Sequence, residues 1–325
     1  NSEINDQLPE LLKGRDRVFY PVGKNAGLDQ NIIEWIKTAK SKDRHSSAID
    51  IADATSKVGN QRLIKDAHEI DLMKKACRIS AESHVEAMKF VKPGMTEQEM
   101  EAFYLYEFAK RGGRFSAYTP IVAGGENACV LHYVENSKPL LDGDLLLVDA
   151  GCEYDFYASD ITRTFPVSGK FTDAQLAIYE VVLEAESKAI AAVSVNNNVM
   201  DAQIISEKVV TQGLIDLGIL KGSLDDLHAK GAFKEFYMHK IGHWLGIDVH
   251  DAGDYMEDDQ FMQFKPGMVT TIEPGIYIPS SANVDDKWKG IGIRIEDDIL
   301  VTPDGNENLT EFVPSDPKEI EALMA

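Results

Sequence analysis

The sequence predicts an α+β fold, with helices packed on one face of a mostly antiparallel sheet. Three observations predict it. Stretches with helical apolar spacing are opened by capping-box tetrapeptides. Runs of apolar and β-branched residues are grouped between the helices instead of following each one in turn. The layout of two helices followed by strands also occurs twice, although no sequence repeat accompanies it.

The first 45 residues hold a strand-like run, Arg17-Val18-Phe19-Tyr20-Pro21, and a helix-like run from Leu28 to Ala39. About thirty residues of that kind make no independent core. Residues 1–62 are therefore read as the tail of an N-terminal domain plus a linker, in which SKDRHSSAIDIAD is a connector with one short strand. Residues 63–325 are the second, larger domain. From Ala67 the apolar positions Ile70, Met73, Ala76, Cys77 and Ile79 roughly follow a period of about 3.6. This helix ends before the turn signal Pro93-Gly94. Thr96-Glu97-Gln98-Glu99 opens the next helix, which stops at Gly112-Gly113. Thr172-Asp173-Ala174-Gln175 opens a third to about Val193, and a fourth runs from Asp201 to Leu217. The expected strands are Thr119–Ala123, Leu145–Ala150, Tyr154–Ser159, Val269–Ile272 and Ile291–Val301.

Composition narrows the function. A 325-residue chain with 44% hydrophobic residues has a real core, and a net charge of −21 makes nucleic acid and anionic membrane surfaces poor partners. No apolar run approaches the roughly 18 residues of a membrane span, and the first residues lack the pattern of a signal peptide. Three cysteines, none at metal-ligand spacing, fit reduced thiols in a cytoplasm.

The chemistry concentrates in carboxylates at the ends of apolar runs. Leu145-Leu146-Leu147-Val148 leads straight into Asp149, and Asp160 follows eleven residues later. A charge at the end of a buried strand is costly unless paired or metal-bound. The ordinary alternative is turn capping, or pairing with Arg163. His239 and His243 stand four apart with His250 beyond, which evokes a helical zinc motif. Lys240 sits where that motif needs a glutamate, the third histidine is one residue too far, and Gly242 and Gly246 oppose a helix. These histidines are therefore expected on irregular or extended backbone. Val269-Thr270-Thr271-Ile272 ends in Glu273, and an alternating strand carries Arg294 and Glu296 on one face. For those two, an ordinary same-face ion pair is the alternative. Four carboxylates in a buried site repel unless a counter-charge is present, and two divalent cations balance them. One imidazole among oxygen ligands points first to Mn²⁺, with Co²⁺, Fe²⁺ and Zn²⁺ as alternatives.

The stretches LHYVEN, LLLVDAGCEYDFYASDITRTFPVSGKFT, MHKIGHWLGIDVHDAGDY, IEPGIYI and GIGIRIEDDILVTPDGNENLT closely resemble aminopeptidase P (Xaa-Pro aminopeptidase), of the pita-bread metallopeptidases. The resemblance runs from about Lys65 to the C-terminus. It implies a creatinase/aminopeptidase-like fold with a curved antiparallel sheet, helices on its outer face and two divalent metals at its centre. Asp149 would hold one metal, Asp160 and Glu296 would bridge, and His243 and Glu273 would complete the other. It also implies that His132, His239 and His250 line the reaction centre, that Arg294 stands behind the ligands, and that Tyr255 and Tyr277 form walls of the substrate cleft. The expected reaction is hydrolysis of the bond between an N-terminal residue and a following proline by a metal-bridging hydroxide. In it His239 stabilises the oxyanion, Glu273 shuttles the proton, and His132 and His250 orient the substrate. A prolidase confined to dipeptides is the first alternative, and a non-catalytic binding module or a metal-free hydrolase like creatinase are others. A homo-oligomer, dimer or tetramer, is expected if the family's N-terminal domain is present.

Overall fold

The structure, a computed structural model, describes residues 3–42 and 49–325. Part of the predicted connector, residues 43–48, lies outside the described residues. The chain divides into two compact units, residues 1–61 with 252–254, and residues 62–251 with 255–325.

In the first unit, helices α1 (Ile4–Leu12) and α2 (Ala26–Lys42) accompany a parallel strand pair, β1 (Arg17–Phe19) and β2 (Asp50–Ala52). Trp35, Ile36, Ala39 and Tyr20 form a small core there. Helix α3 (Thr55–Leu63) follows.

The second unit carries the rest. Helices α4 (Ala67–Phe90) and α5 (Glu97–Arg111) are followed by β3 (Phe115–Ser116), β4 (Ile121–Gly124), β5 (Leu145–Asp149), β6 (Cys152–Tyr154), β7 (Tyr157–Ala158) and β8 (Thr162–Pro166). Helices α6 (Asp173–Ala192), α7 (Val199–Asp216) and the short α8 (Leu224–Ala229) come next. Strands β9 (Met256–Glu257), β10 (Gln260–Phe261), β11 (Val269–Ile272), β12 (Gly275–Ile278), β13 (Ile291–Arg294), β14 (Asp297–Thr302) and β15 (Gly305–Asn308) precede the last helix, α9 (Pro317–Met324). Every ladder in this unit is antiparallel, with orders β4-β5-β8, β3-β6-β7, β9-β10, β12-β13 and β11-β14-β15. This is the α+β arrangement the sequence predicts.

The helix starts follow their caps. Thr96 with Glu99 and Thr172 with Gln175 form reciprocal capping boxes, and Gly112 ends α5 in the left-handed region at φ 102°. Helix α7 begins at Val199, two residues before the expected Asp201, because Asn198 caps it with Asp201 reaching back. Two expected strands are broken. Tyr154–Ser159 is a hairpin, since Asp155 and Phe156 both take positive φ, 49° and 74°. Ile291–Val301 is interrupted at Ile295 and Glu296, so β13 and β14 join different ladders.

Side-chain alternation then sorts the sheet faces. Leu146, Val148, Ile293 and Ile295 enter one core with Met88, Tyr104, Ile178 and Val182 from the helices. Each such fully buried chain contributes roughly 1.5–3 kcal/mol relative to exposure. The opposite parity, Leu147 with Asp149, Thr162, and Arg294 with Glu296, faces the functional cavity or the layer beneath it.

Candidate metal centre

Strand pairing places the carboxylates. β5 and β8 pair with Asp149 opposite Thr162, so Asp160, just ahead of β8, lies at the same sheet end as Asp149. A further bridge joins Thr162 to Glu296. The loop carrying His243 is stitched to β11 by the Trp244–Thr270 bridge and by the Thr271 amide donating to the His243 carbonyl at 2.9 Å. Two glycines permit these approaches. A Cβ on Gly151 would stand 1.8 Å from the Ser159 carbonyl oxygen, and one on Gly242 would stand 1.9 Å from that of Thr271.

Asp149, Asp160, His243, Glu273 and Glu296 thus line one cavity of about 780 Å³. Asp160, His243 and Glu296 each offer a ligand atom, all within 4.8 Å of one another. His243 Nδ1 lies 3.0 Å from the Trp244 carbonyl, which can only accept, so that nitrogen carries the proton and Nε2 points inward. Nε2 is 3.4 Å from Asp160 and 3.7 Å from Glu273.

The metal-free electrostatics record the crowding. Burial pushes the Glu273 carboxyl up to about 7, with His243 and Arg294 opposing and Asp160 and Asp149 reinforcing. Burial and Asp149 raise Asp160, while His243 and Tyr118 oppose. Glu296 is pushed well above its usual range by burial, Asp160 and Glu273. Burial disfavours charge on His243, but Asp160 and Glu273 outweigh it and lift the imidazole to about 9. A proton on its Nε2 occupies the direction that a cation would take.

Arg294 is the fixed cation behind this cluster. It donates to Asp149 Oδ2 at 2.6 Å, to the Tyr277 hydroxyl at 3.0 Å and to Thr162 Oγ1 at 3.1 Å. Thr162 in turn donates to Glu296 Oε2 at 2.5 Å, so Arg294 and Glu296 share a face but are bridged rather than directly paired. Arg163, the alternative partner for the aspartates, points the other way to Asp297 and the Val313 carbonyl. Four carboxylates against one guanidinium leave a net −3 around the cavity. Two divalent cations turn that to +1, which favours loss of a proton from the site. The donor set therefore fits divalent cations.

The remaining expected residues divide. His132, His239, His250 and Tyr255 line the cavity. His250 stands edge-on to His243, ring centroids 4.3 Å apart, and burial together with His243 lowers its pKa. Tyr255 stacks on Trp244 and accepts from the Trp244 amide at 3.0 Å. Tyr277 does not reach the cavity. It is fully buried, and its hydroxyl joins Arg294 to His239 Nε2 at 2.8 Å. His239 Nδ1 donates to the Lys240 carbonyl at 2.8 Å, so both of its nitrogens are engaged and none is left to donate to an oxyanion. Burial and Arg294 push this imidazole down to about 4.

Tyr118 escaped the sequence reading. Its hydroxyl lies 2.6 Å from Asp149 Oδ1 and 2.5 Å from Asp160 Oδ1. A phenol has one proton to give, so the second contact needs a proton on a carboxyl, and Asp160 is a group pushed upward. A lone tyrosine two residues ahead of a proline carries no local signal, and only the tertiary contacts reveal it.

Comparison with known proteins agrees with this geometry. Residues 71–303 match metallopeptidase family M24. The chain is 44% identical over 325 residues to the Xaa-Pro aminopeptidase of Escherichia coli, covering 99% of this chain and 74% of that protein. It is 50% identical over 322 residues to that of Haemophilus influenzae, covering 99% and 73%. Among solved structures, aminopeptidase PepP of Pseudomonas aeruginosa superposes with a TM-score of 0.94 at 46% identity, over 99% of this chain and 74% of that one. A zinc-substituted Escherichia coli aminopeptidase P in complex with product gives 0.93 at 44% identity, with the same coverage.

Proposed function

We propose a reaction from one premise: the chain belongs to metallopeptidase family M24 and is an Xaa-Pro aminopeptidase, releasing the first residue of peptides whose second residue is proline. The observation that carries the reading is the convergence of four carboxylates and one imidazole on a single cavity. The prolidase alternative is not favoured, because the relatives at 44% and 50% identity are Xaa-Pro aminopeptidases.

In our reading Asp149, Asp160, His243, Glu273 and Glu296 would together hold two divalent ions, with Mn²⁺ as the native metal. Bound there, the ions supply positive charge and acidify a water, from a bulk pKa of about 15.7 towards about 7 in well-studied sites. The protein's own groups do the rest. Glu273 moves the proton from the nucleophile to the leaving prolyl nitrogen. With His239 committed to Tyr277 and Lys240, the task of donating to the carbonyl oxygen falls to His250, whose lowered pKa keeps it a neutral imidazole with one N–H. His132 orients the peptide. Arg294, Tyr277 and His239 form a rigid bracket behind Asp149.

Proline selectivity follows from the amide. An X–Pro bond has no N–H, and its ring fixes φ. The cavity offers apolar wall at Val199, Met200, Ile241, Val249 and Phe261 for a prolyl ring. Residues 63–325 carry all of these groups. Three free cysteines suit a reducing, cytoplasmic setting, and no helix among the described residues is long and apolar enough to cross a membrane. We expect a dimer or tetramer, which sedimentation analysis checks.

The deciding experiment is metal content measured alongside cleavage of Arg-Pro-Pro, before and after chelation. Two equivalents of metal, with activity lost on chelation and restored by Mn²⁺, are expected. Cleavage that survives complete metal removal would refute the scheme.

A further inference from the structure

Lys240 stands where a helical zinc motif would carry its glutamate, and the reaction above uses only its carbonyl. Its place on the cavity wall is nonetheless fixed. That carbonyl accepts from His239 at 2.8 Å, and the next amide, that of Ile241, donates to Gln203 Oε1 at 2.6 Å. The backbone is held on both sides, and the residue is exposed and lines the cavity.

The neighbouring His239 ring is 3.9 Å from Glu273, and Lys240 has its Cα about 3.8 Å from the His239 Cα. Its flexible four-carbon stem therefore works close to the reaction centre. The other cation on this wall, Arg294, is consumed by Asp149, Tyr277 and Thr162. Among the described residues the Lys240 ammonium forms no ion pair.

A short peptide brings two charges into the cavity. Its amine suits the Asp149 end. Its α-carboxylate, at most about 10 Å away in an extended tripeptide, reaches beyond the metal ligands into a cavity of a chain with net charge −21. That end needs a cation. Resting on the aminopeptidase reading, we propose that Lys240 recognises the free α-carboxylate of short Xaa-Pro peptides and thereby sets a preference for tripeptide-sized substrates. Longer peptides carry the carboxylate past its reach and gain nothing from it.

The test compares Arg-Pro-Pro with its C-terminal amide, using metal-loaded wild type, Lys240→Met and Lys240→Glu, with metal content and melting temperature as controls of folding. In wild type the amide is expected to have a KM roughly three- to fivefold above the acid, the range an exposed ion pair supports. Lys240→Met should bring the amide-to-acid ratio of KM to about 1, and Lys240→Glu should invert it. A ratio that is the same in all three enzymes overturns the proposal. Wild type that cleaves neither peptide overturns the aminopeptidase reading itself and the proposal with it, a result distinct from an unchanged ratio.

Discussion

A phenol hydroxyl between two carboxylates is the smallest unit that this site depends on. Tyr118 bridges Asp149 and Asp160, and in our proposal it would fix which of their oxygens face a metal. Groups that orient ligands in this way are worth about 10–100-fold in metal affinity. Tyr118→Phe, which keeps the ring, is expected to weaken metal binding by roughly that factor while the apo melting temperature holds. Calorimetric metal titration checks it, and unchanged affinity would make the hydroxyl a bystander. His250→Ala separates the other way. It should retain full metal but lose turnover by roughly 10²–10³-fold, the cost of one oxyanion donor. If its metal content collapses, His250 supports the ligands instead. Asp149 and Glu273 were legible in the sequence because apolar runs end in them, and a charge in that setting demands a reason. Tyr118 was not, and neither was the engagement of both His239 nitrogens, because each depends on a partner distant in sequence or on a turn no local pattern specifies.

Elements place these residues through close backbone contact. β8 alternates Thr162 towards Glu296 and Arg163 towards Asp297, so one strand serves the site on one face and the scaffold on the other. Capping boxes made the helix starts readable to within two residues. The strand breaks were less readable. Tyr154–Ser159 and Ile291–Val301 have continuous strand composition, and the hairpin at Asp155-Phe156 and the interruption at Glu296 come from tertiary pairing that overrides it. Gly242 is the sharpest case of an element-level constraint, since any Cβ there overlaps the Thr271 carbonyl. Gly242→Ala must push the His243 loop off β11. The expected cost is about 1–3 kcal/mol, as for other overpacked sites, together with a disproportionate loss of metal because His243 moves. Thermal melts with and without added Mn²⁺ read both. A variant that melts lower yet keeps wild-type metal affinity would show the loop position to be immaterial to the site.

At the scale of the whole molecule, the metal centre sets how stability depends on pH. Without metal, Glu273 is raised to about 7 and His243 to about 9 in the folded state. Between the unfolded value of a carboxylate, near 4, and the raised folded value, the native state binds more protons than the unfolded chain, so stability falls as pH rises. His243 acts in the same sense. Its contribution is complete below about 6.5 and is lost as pH rises through about 9. His84 acts oppositely and lower down. Buried between the Ala150 carbonyl and Tyr104, it is lowered to about 4, so it costs stability only as pH falls from about 6.5 towards 4, with or without metal. Between about pH 4 and 6.5 the Glu273 and His84 contributions oppose each other, and above about 6.5 only the falling contributions of Glu273 and His243 remain. From pH 6.5 to 9 the melting temperature of chelated protein is expected to fall by roughly 5 °C, from about 2 kcal/mol at 2–4 °C per kcal/mol. Metal-loaded protein should show no such fall, because cations replace the protons. They also add about 2.7 kcal/mol at a hundred times their dissociation constant. Differential scanning calorimetry across this range, with and without chelator, tests the idea. Parallel curves for the two forms would mean that the carboxylates are not crowded in solution as they are in the structure.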